Sequence, residues 1–403
     1  MSGRIAVLFD NFGPYHRARL TAAAQSMPVV ALETCEQSGD YDWKRGTSVR
    51  TFEHRTLLGV GEGDGQTARA SVIAKRMFET LCEAKPKVVA IPGWSTRSAL
   101  AALSWCVKWR VPAVVMSETT PWDENRHPMK EAIKQRVVRL FSAALVGGAA
   151  HARYLEGLGI PADRIFRGYD VVDNDYFSIG VDKARQEAAG VRARLGLPAR
   201  YFLASNRFIE KKNLPLLLRA FALYRSRAGS DACRLVMLGD GPLKASLLTK
   251  CRELELAIGS DVYFPGFIQY EGLPEYYALA EAFIHASTSE QWGLVVNEAM
   301  ASALPVLISN RCGCVQDLVS EGKNGWTFDP LDVNEMAEAM KRLATLQVEE
   351  RQSLGKQSYE FIQQYSPACF AAGLSKAVEC ALSAPSVKPS LPDRLLLRTL
   401  RSR

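Results

Sequence analysis

Short apolar runs alternate with longer amphipathic stretches along the chain, and this alternation stops once and restarts. The runs at 4–9, 87–91, 112–116 and 142–146 are too short for helices and too apolar for exposed strands, so they read as buried strands. Helical spacing fills 14–26, 67–84, 96–109 and 126–140. Such alternation specifies parallel β-α units with helices on the faces of a sheet. A polar, charged segment at 180–199 interrupts it. The pattern resumes with strands at 201–205, 233–238, 261–264, 282–285 and 305–308, and with helices at 213–227, 242–254, 273–280, 293–302, 332–346 and 348–363. Two α/β domains are therefore expected, 1–190 and 191–365, followed by a C-terminal segment over 366–403. A length of 403 residues suits two domains. Ligands of open parallel sheets sit beyond the carboxyl ends of the strands, so two facing sheets would hold one in the cleft between them.

Composition excludes several alternatives. With 47% hydrophobic and 23% charged residues the chain is neither disordered nor fibrous. No uninterrupted apolar stretch of about 18 residues exists to span a membrane. Arg4 to Phe9 is too short for the apolar region of a signal peptide, so a cytoplasmic protein is expected. Fifty basic and 43 acidic residues leave +7, spread along the chain. That points away from nucleic acid, and supports at most attraction to phosphorylated ligands or anionic lipid. The nine cysteines are odd in number and lack a CxxC pair, a pattern of reduced thiols. Cys312 and Cys314 lack the further ligands that a zinc site needs.

Nucleotide-binding and hydrolase signatures of the P-loop, GxGxxG, GxSxG and HExxH kinds are absent. Candidate chemistry lies at strand exits instead. Asp10 to Arg19 follows the first strand, where Gly13 would let backbone approach a ligand, and His16 and Arg17 open a helix or form solvated surface. Arg207, Lys211 and Lys212 follow the strand at 201–205 and would suit a pyrophosphate, Arg gripping oxygens bidentately and Lys adding a point charge. An exposed basic turn would look the same. Leu238 to Pro242 is a second glycine-rich exit. The most informative stretch is Ser289 to Ala301, where Glu290 precedes Trp292-Gly293 in a loop and Glu298 follows inside a helix. Carboxylates so placed could hydrogen-bond sugar or ribose hydroxyls, and the amides between them could hold phosphate.

The run Arg207 to Lys212, Gly239-Asp240-Gly241-Pro242, Glu290 and Glu298 with seven residues between them, Ala299-Met300-Ala301, Pro305-Val306 and Asn324-Gly325 occur together. In order and spacing the chain resembles retaining glycosyltransferase family 4 (glycosyl transferase group 1), strongly over 200–345 and weakly back to Gly13. The resemblance implies the GT-B architecture, with two Rossmann-like domains around a deep cleft and a C-terminal helix, here 366–382, crossing back to the first domain. It implies transfer of a sugar from a nucleotide-diphosphate sugar to an acceptor hydroxyl on a glycan, a lipid or a small molecule, without a metal or other cofactor. Arg207 and Lys212 match the pair that binds the donor diphosphate, Glu290 the carboxylate beside the transferred sugar, and Glu298 the one on the ribose. Gly13, Gly239 and the amides of Trp292, Gly293, Leu294 and Val295 match the donor loops, while Phe267 and Ile268 match the segment near the base.

Three departures stand out. Ser117-Glu118-Thr119 replaces a histidine that many members carry, Gly313-Cys314-Val315-Gln316-Asp317 replaces Gly-Gly-x-Pro-Glu, and Trp292 replaces Phe or Tyr. On the acceptor side Tyr15, His16, Glu118 and Arg126 are candidates, with Trp122 and His127 nearby. Asp173-Asn174-Asp175 is a DxD triplet, the metal signature of the other glycosyltransferase architecture, but between two domains it reads as a loop. A GT-B epimerase, a phosphorylase and an inactive nucleotide-sugar-binding protein are the alternatives. The tail from Leu391 mixes leucines with arginines, which fits either a solvated end or weak contact with an anionic membrane.

Overall fold

A computed structural model describes residues 3–36, 52–229, 232–385 and 387–402. The chain begins β1 (Ile5–Phe9), α1 (Pro14–Ser26), β2 (Val29–Cys35), β3 (Glu53–Leu58), α2 (Ala70–Ala84), β4 (Val88–Pro92), α3 (Arg97–Trp109) and β5 (Ala113–Ser117). It continues with α4 (Pro128–Val138), β6 (Ala143–Val146), α5 (Ala149–Gly157), β7 (Ile165–Arg167), α6 (Asn174–Gln186) and α7 (Ala188–Leu195). Then come β8 (Tyr201–Ser205), α8 (Leu214–Ala228), β9 (Arg234–Leu238), α9 (Lys244–Glu253), β10 (Val262–Gly266), α10 (Leu273–Ala278), β11 (Ala282–His285) and α11 (Leu294–Ala301). The last elements are β12 (Val306–Ser309), α12 (Val315–Leu318), β13 (Gly325–Phe328), α13 (Val333–Ala344), α14 (Val348–Ile362), α15 (Pro367–Ser383) and α16 (Leu391–Arg401).

Two compact units result, residues 1–172 with 365–403, and residues 173–364. The expected boundary at 190/191 is corrected to 172/173. The reason is α6, whose Phe177 packs edge-on to Tyr270 and Tyr277 at 5.5 and 5.8 Å between centroids. Asn174 Nδ2 also donates to the carbonyl of Ile362 at 2.9 Å. These contacts bind the polar-looking segment into the second unit.

The first unit holds a seven-stranded parallel sheet in the order β3-β2-β1-β4-β5-β6-β7. The second holds a six-stranded parallel sheet, β10-β9-β8-β11-β12-β13. In each, chain order reverses beside the first strand, between β1 and β4 and between β8 and β11. A reversal parts the neighbouring loops and opens a crevice at the carboxyl ends, where doubly wound sheets bind ligands.

Alternate faces of the first sheet feed two cores. Leu8, Leu32, Ile91 and Val115 pack in one, Val7, Ala31, Ala90 and Val114 in the other. Helix α15 completes the second core with Phe370 and Leu374, each fully buried. Burying such side chains contributes about 1.5–3 kcal/mol apiece. The tail beyond it is not a solvated end. It forms α16, capped by the Ser390 hydroxyl and docked through buried Leu397 and an Arg136–Asp393 ion pair of 2.7 Å. No helix among the described residues is long and apolar enough to cross a membrane.

Candidate active site

In the second unit the reversal point gathers the loops after β8 and β11. Asn206 N–H donates to the Leu238 carbonyl (3.0 Å), and Phe208 N–H donates to that of Asp240 (2.8 Å), so both neighbours of Arg207 are tied to the exit of β9. Gly239 is required there: its φ is +122°, and a Cβ would lie 1.7 Å from the Asn206 carbonyl oxygen. After a short turn at Glu210–Lys212, Asn213 takes a left-handed φ of 56° and its Nδ2 donates to the Pro330 carbonyl at 2.7 Å. That anchor directs Lys211 and Lys212 to the β11 loop.

Glu290 is where these groups converge. Lys212 Nζ pairs with its Oε2, and Lys211 Nζ lies 3.6 Å from Oε1. His285 Nε2 and Ser287 Oγ approach Oε2 at 3.4 and 3.3 Å. Burial alone would raise the carboxyl's pKa, but the His285 contact and the lysine charges prevail and hold it well below the usual carboxylate range. The backbone is fixed too, since Gly313 N–H donates to the Glu290 carbonyl at 3.0 Å and Cys314 N–H to that of Trp292 at 3.3 Å. The Gly313-Cys314 turn thus braces the Glu290 loop. Burial drives the Cys312 and Cys314 thiols up, away from the thiolate a metal would need.

Trp292 points inward, buried, with Nε1–H donating to Asn297 Oδ1 at 2.8 Å. Only its backbone and those of Gly293, Leu294 and Val295 remain for a ligand at the start of α11, where Gly293 has φ +105°. Helix α11 has no side-chain cap and no acid in its first turn, so its amide end favours an anion. Glu298 lies one turn further on, buried, accepting from Tyr277 Oη at 2.7 Å. Phe267 stands exposed and Ile268 half-buried beyond β10.

The first-unit candidates scatter in role. Gly13 has φ −81°, open to any residue, and its N–H donates to His16 Nδ1 at 3.2 Å. His16 thereby caps α1, and burial pushes its pKa down to about 3, so the ring is neutral. Tyr15 and Glu118 are half-buried. Arg126 is corrected from acceptor-side candidate to loop clamp. Its guanidinium donates to the carbonyls of Thr120 and Pro121, to Asp123 and Glu124, and to Tyr154 Oη, which leaves no donor for a ligand. His127 caps α4. Asp173 of the DxD triplet caps α6, accepting from Tyr176 N–H at 3.0 Å.

Sequence reasoning missed His285 and Ser287, which sit in an apolar strand and a polar loop without a motif of their own. It also missed Glu33 and His54 in the first unit, paired at 3.1 Å, with Phe12 N–H donating to Glu33 at 2.8 Å. Among the described residues no group of three or more His, Cys, Asp or Glu could hold a metal ion.

Residues 192–361 match the family described as glycosyl transferases group 1. The chain is 36% identical over 135 residues to the sulfoquinovosyl transferase of Arabidopsis thaliana, covering 33% of this chain and 25% of that one. It is 28% identical over 232 residues to the alpha-D-kanosaminyltransferase of Streptomyces kanamyceticus, covering 56% and 57%. The matches span about a quarter to just over half of these relatives' lengths. Among solved structures, the Anabaena HepE protein in complex with UDP and glucose matches at a TM-score of 0.70 and 17% identity, covering 94% of this chain and 99% of that one. An Escherichia coli trehalose-6-phosphate protein bound with UDP-2-fluoro glucose matches at 0.74 and 12%, covering 96% and 100%. At these identities the likeness is one of fold.

Proposed function

We propose, on the premise that residues 192–361 belong to the glycosyl transferases group 1 family and that the chain has the GT-B fold, that this protein is a retaining glycosyltransferase. It would move a sugar from a nucleotide-diphosphate donor to an acceptor hydroxyl on a glycan, a lipid or a small molecule. The observation that carries this reading is the convergence of Lys211, Lys212 and Glu290 at the reversal point of the second sheet, beside the uncapped start of α11. Arg207, Lys212 and the amides of α11 hold the diphosphate, and Glu298 holds the ribose. The acceptor hydroxyl attacks the anomeric carbon on the face the diphosphate leaves. As the new C–O bond forms and the C–O bond to phosphate breaks, the departing phosphate oxygen takes the hydroxyl proton. Glu290 orients the sugar and stabilises the positive charge that develops on it.

A panel of uridine and guanosine diphosphate sugars, with and without candidate acceptors, tests the proposal. Nucleoside diphosphate should be released with retention at the anomeric carbon, and the rate should survive EDTA, because fixed cations and helix amides neutralise the leaving group. Inversion, or activity lost with EDTA and restored by Mn²⁺, would overturn it.

We further propose that the protein makes weak contact with an anionic membrane surface. Helix α16 exposes Leu391 (71%) and Leu395 (55%) with Arg394 and Arg398 between and after them. Helix α4, tied to α16 through Arg136 and Asp393, exposes Met129 (71%) and Ile133 (39%) beside Lys130. Cations at such a surface contribute about 1 kcal/mol each, roughly 5-fold in partitioning. Because Leu397 is buried, deleting the tail would uncover core, so exposed-face substitutions are the test. Arg394→Ser with Arg398→Ser should weaken co-sedimentation with phosphatidylserine vesicles by about 25-fold at low salt. Unchanged partitioning would remove the membrane from the reading.

A further inference from the structure

His285 closes β11 with its ring fully buried (0% exposed), stacked on Phe283 at 6.1 Å between centroids. Packing alone would account for an apolar residue here, but a histidine brings two ring nitrogens that must be accounted for. Nε2 lies 3.0 Å from Ser287 Oγ and 3.4 Å from Glu290 Oε2, and Ser287 Oγ lies 3.3 Å from the same carboxylate oxygen. Nδ1 has no hydrogen-bond partner among the described residues.

This geometry fixes the proton. An ionised carboxylate only accepts. With the proton on Nδ1, a buried N–H would lack an acceptor and the Nε2 lone pair would face a carboxylate oxygen. With it on Nε2, ring and serine both donate toward Glu290, and only a lone pair goes unused. Burial, aided by the nearby lysine charges, lowers the imidazole pKa, so the ring donates as a neutral group.

In the free protein Lys212 also holds Glu290. A diphosphate carries more negative charge than one carboxylate and competes for that ammonium. His285 cannot follow, because it is buried on a strand. We infer that His285, acting directly and through the Ser287 hydroxyl, is the positioning residue that keeps the Glu290 carboxylate aimed once the donor diphosphate draws Lys212 away. A neutral donor does this without cancelling the charge that the transition state uses. The inference rests on the glycosyltransferase reading above.

His285→Phe keeps the stacked ring and removes the donor, while His285→Gln places an amide N–H near the Nε2 position. At saturating donor, His285→Phe should lower kcat about 10- to 100-fold with donor KM within about 2-fold, since a displaced catalytic group costs that order. His285→Gln should recover most of the loss, and Ser287→Ala, the gentlest change, should cost several-fold in kcat. A packing role predicts the opposite order, with Phe the better replacement, and that order would overturn the inference. If Glu290→Gln is inactive while His285→Phe and Ser287→Ala both turn over normally, this inference alone falls. If Glu290→Gln is itself fully active, the role given to Glu290 falls, and this one with it.

Discussion

Glu290→Gln should lower kcat by about 100- to 1000-fold at saturating donor, the range for losing one electrostatic group aimed at developing charge. The substitution is nearly isosteric, and its carbonyl oxygen still accepts from Ser287 and His285, so the loop should survive. What disappears is a full negative charge that Lys212, Lys211 and the His285 contact keep ionised far into the acid range. The sign of the pH effect follows. A carboxyl with a depressed folded pKa stabilises the fold above its unfolded value of about 4.3, and that contribution fades only as pH falls below it. No limb of the kcat profile near neutral pH should therefore belong to Glu290. Glu298→Gln should behave differently. Its amide oxygen can keep the Tyr277 bond, and the proposed ribose contact would be made equally in ground and transition states, so donor KM should rise while kcat changes little. A hydrogen bond to a charged group is worth roughly 1.5–3 kcal/mol, or about 10- to 150-fold in KM. Normal turnover by Glu290→Gln would strip that residue of its role. Full activity in both variants would undo the motif assignment.

Most of the second sheet was legible because β8, β9, β11 and β12 are short, mainly apolar runs ended by glycine or a polar turn. β3 was not, since Glu53, His54 and Arg55 make it a polar edge strand without alternation, and β7 and β13 are three and four residues long. β2 is wholly buried, yet only two residues separate it from α1, too little punctuation to read as a break. The domain boundary failed for a different reason. α6 and α7 carry charges that suggest a linker, and the contacts of Phe177 that make α6 structural lie some 95 residues away in sequence. In the site, spacing pointed to Glu290 and Glu298 but not to what surrounds them. His285 is one residue of an apolar strand, and only the fold turns it toward Glu290. Arg126 failed in the opposite direction, for an arginine in an acceptor-side loop suggests a ligand contact until its five donors are traced to the chain itself.

Gly239→Ala should be the most damaging of the small substitutions. At φ +122° any side chain is strained, at about 1–3 kcal/mol, before its surroundings are considered. Here the added methyl carbon would also overlap the Asn206 carbonyl oxygen, which is backbone and cannot turn aside. The Gly239 amide is fixed from the other side by its bond to the Gly266 carbonyl at 2.8 Å. Three strand exits are laced together at this point, so relief must come from moving Asn206 to Phe208, and Arg207 lies between them. A loss of at least about 3 kcal/mol is expected, which for a unit of this size lowers Tm by roughly 6–12 °C. Donor affinity should fall with it, if Arg207 holds the diphosphate as proposed. Gly322→Ala is the control, since its φ of +72° lies near the left-handed region, at a cost of about 1 kcal/mol, and nothing lies within 4 Å of the new carbon, so donor affinity should be kept. If Gly239→Ala melts and binds donor like Gly322→Ala, the close crossing of β8 and β9 is not what sets the position of Arg207.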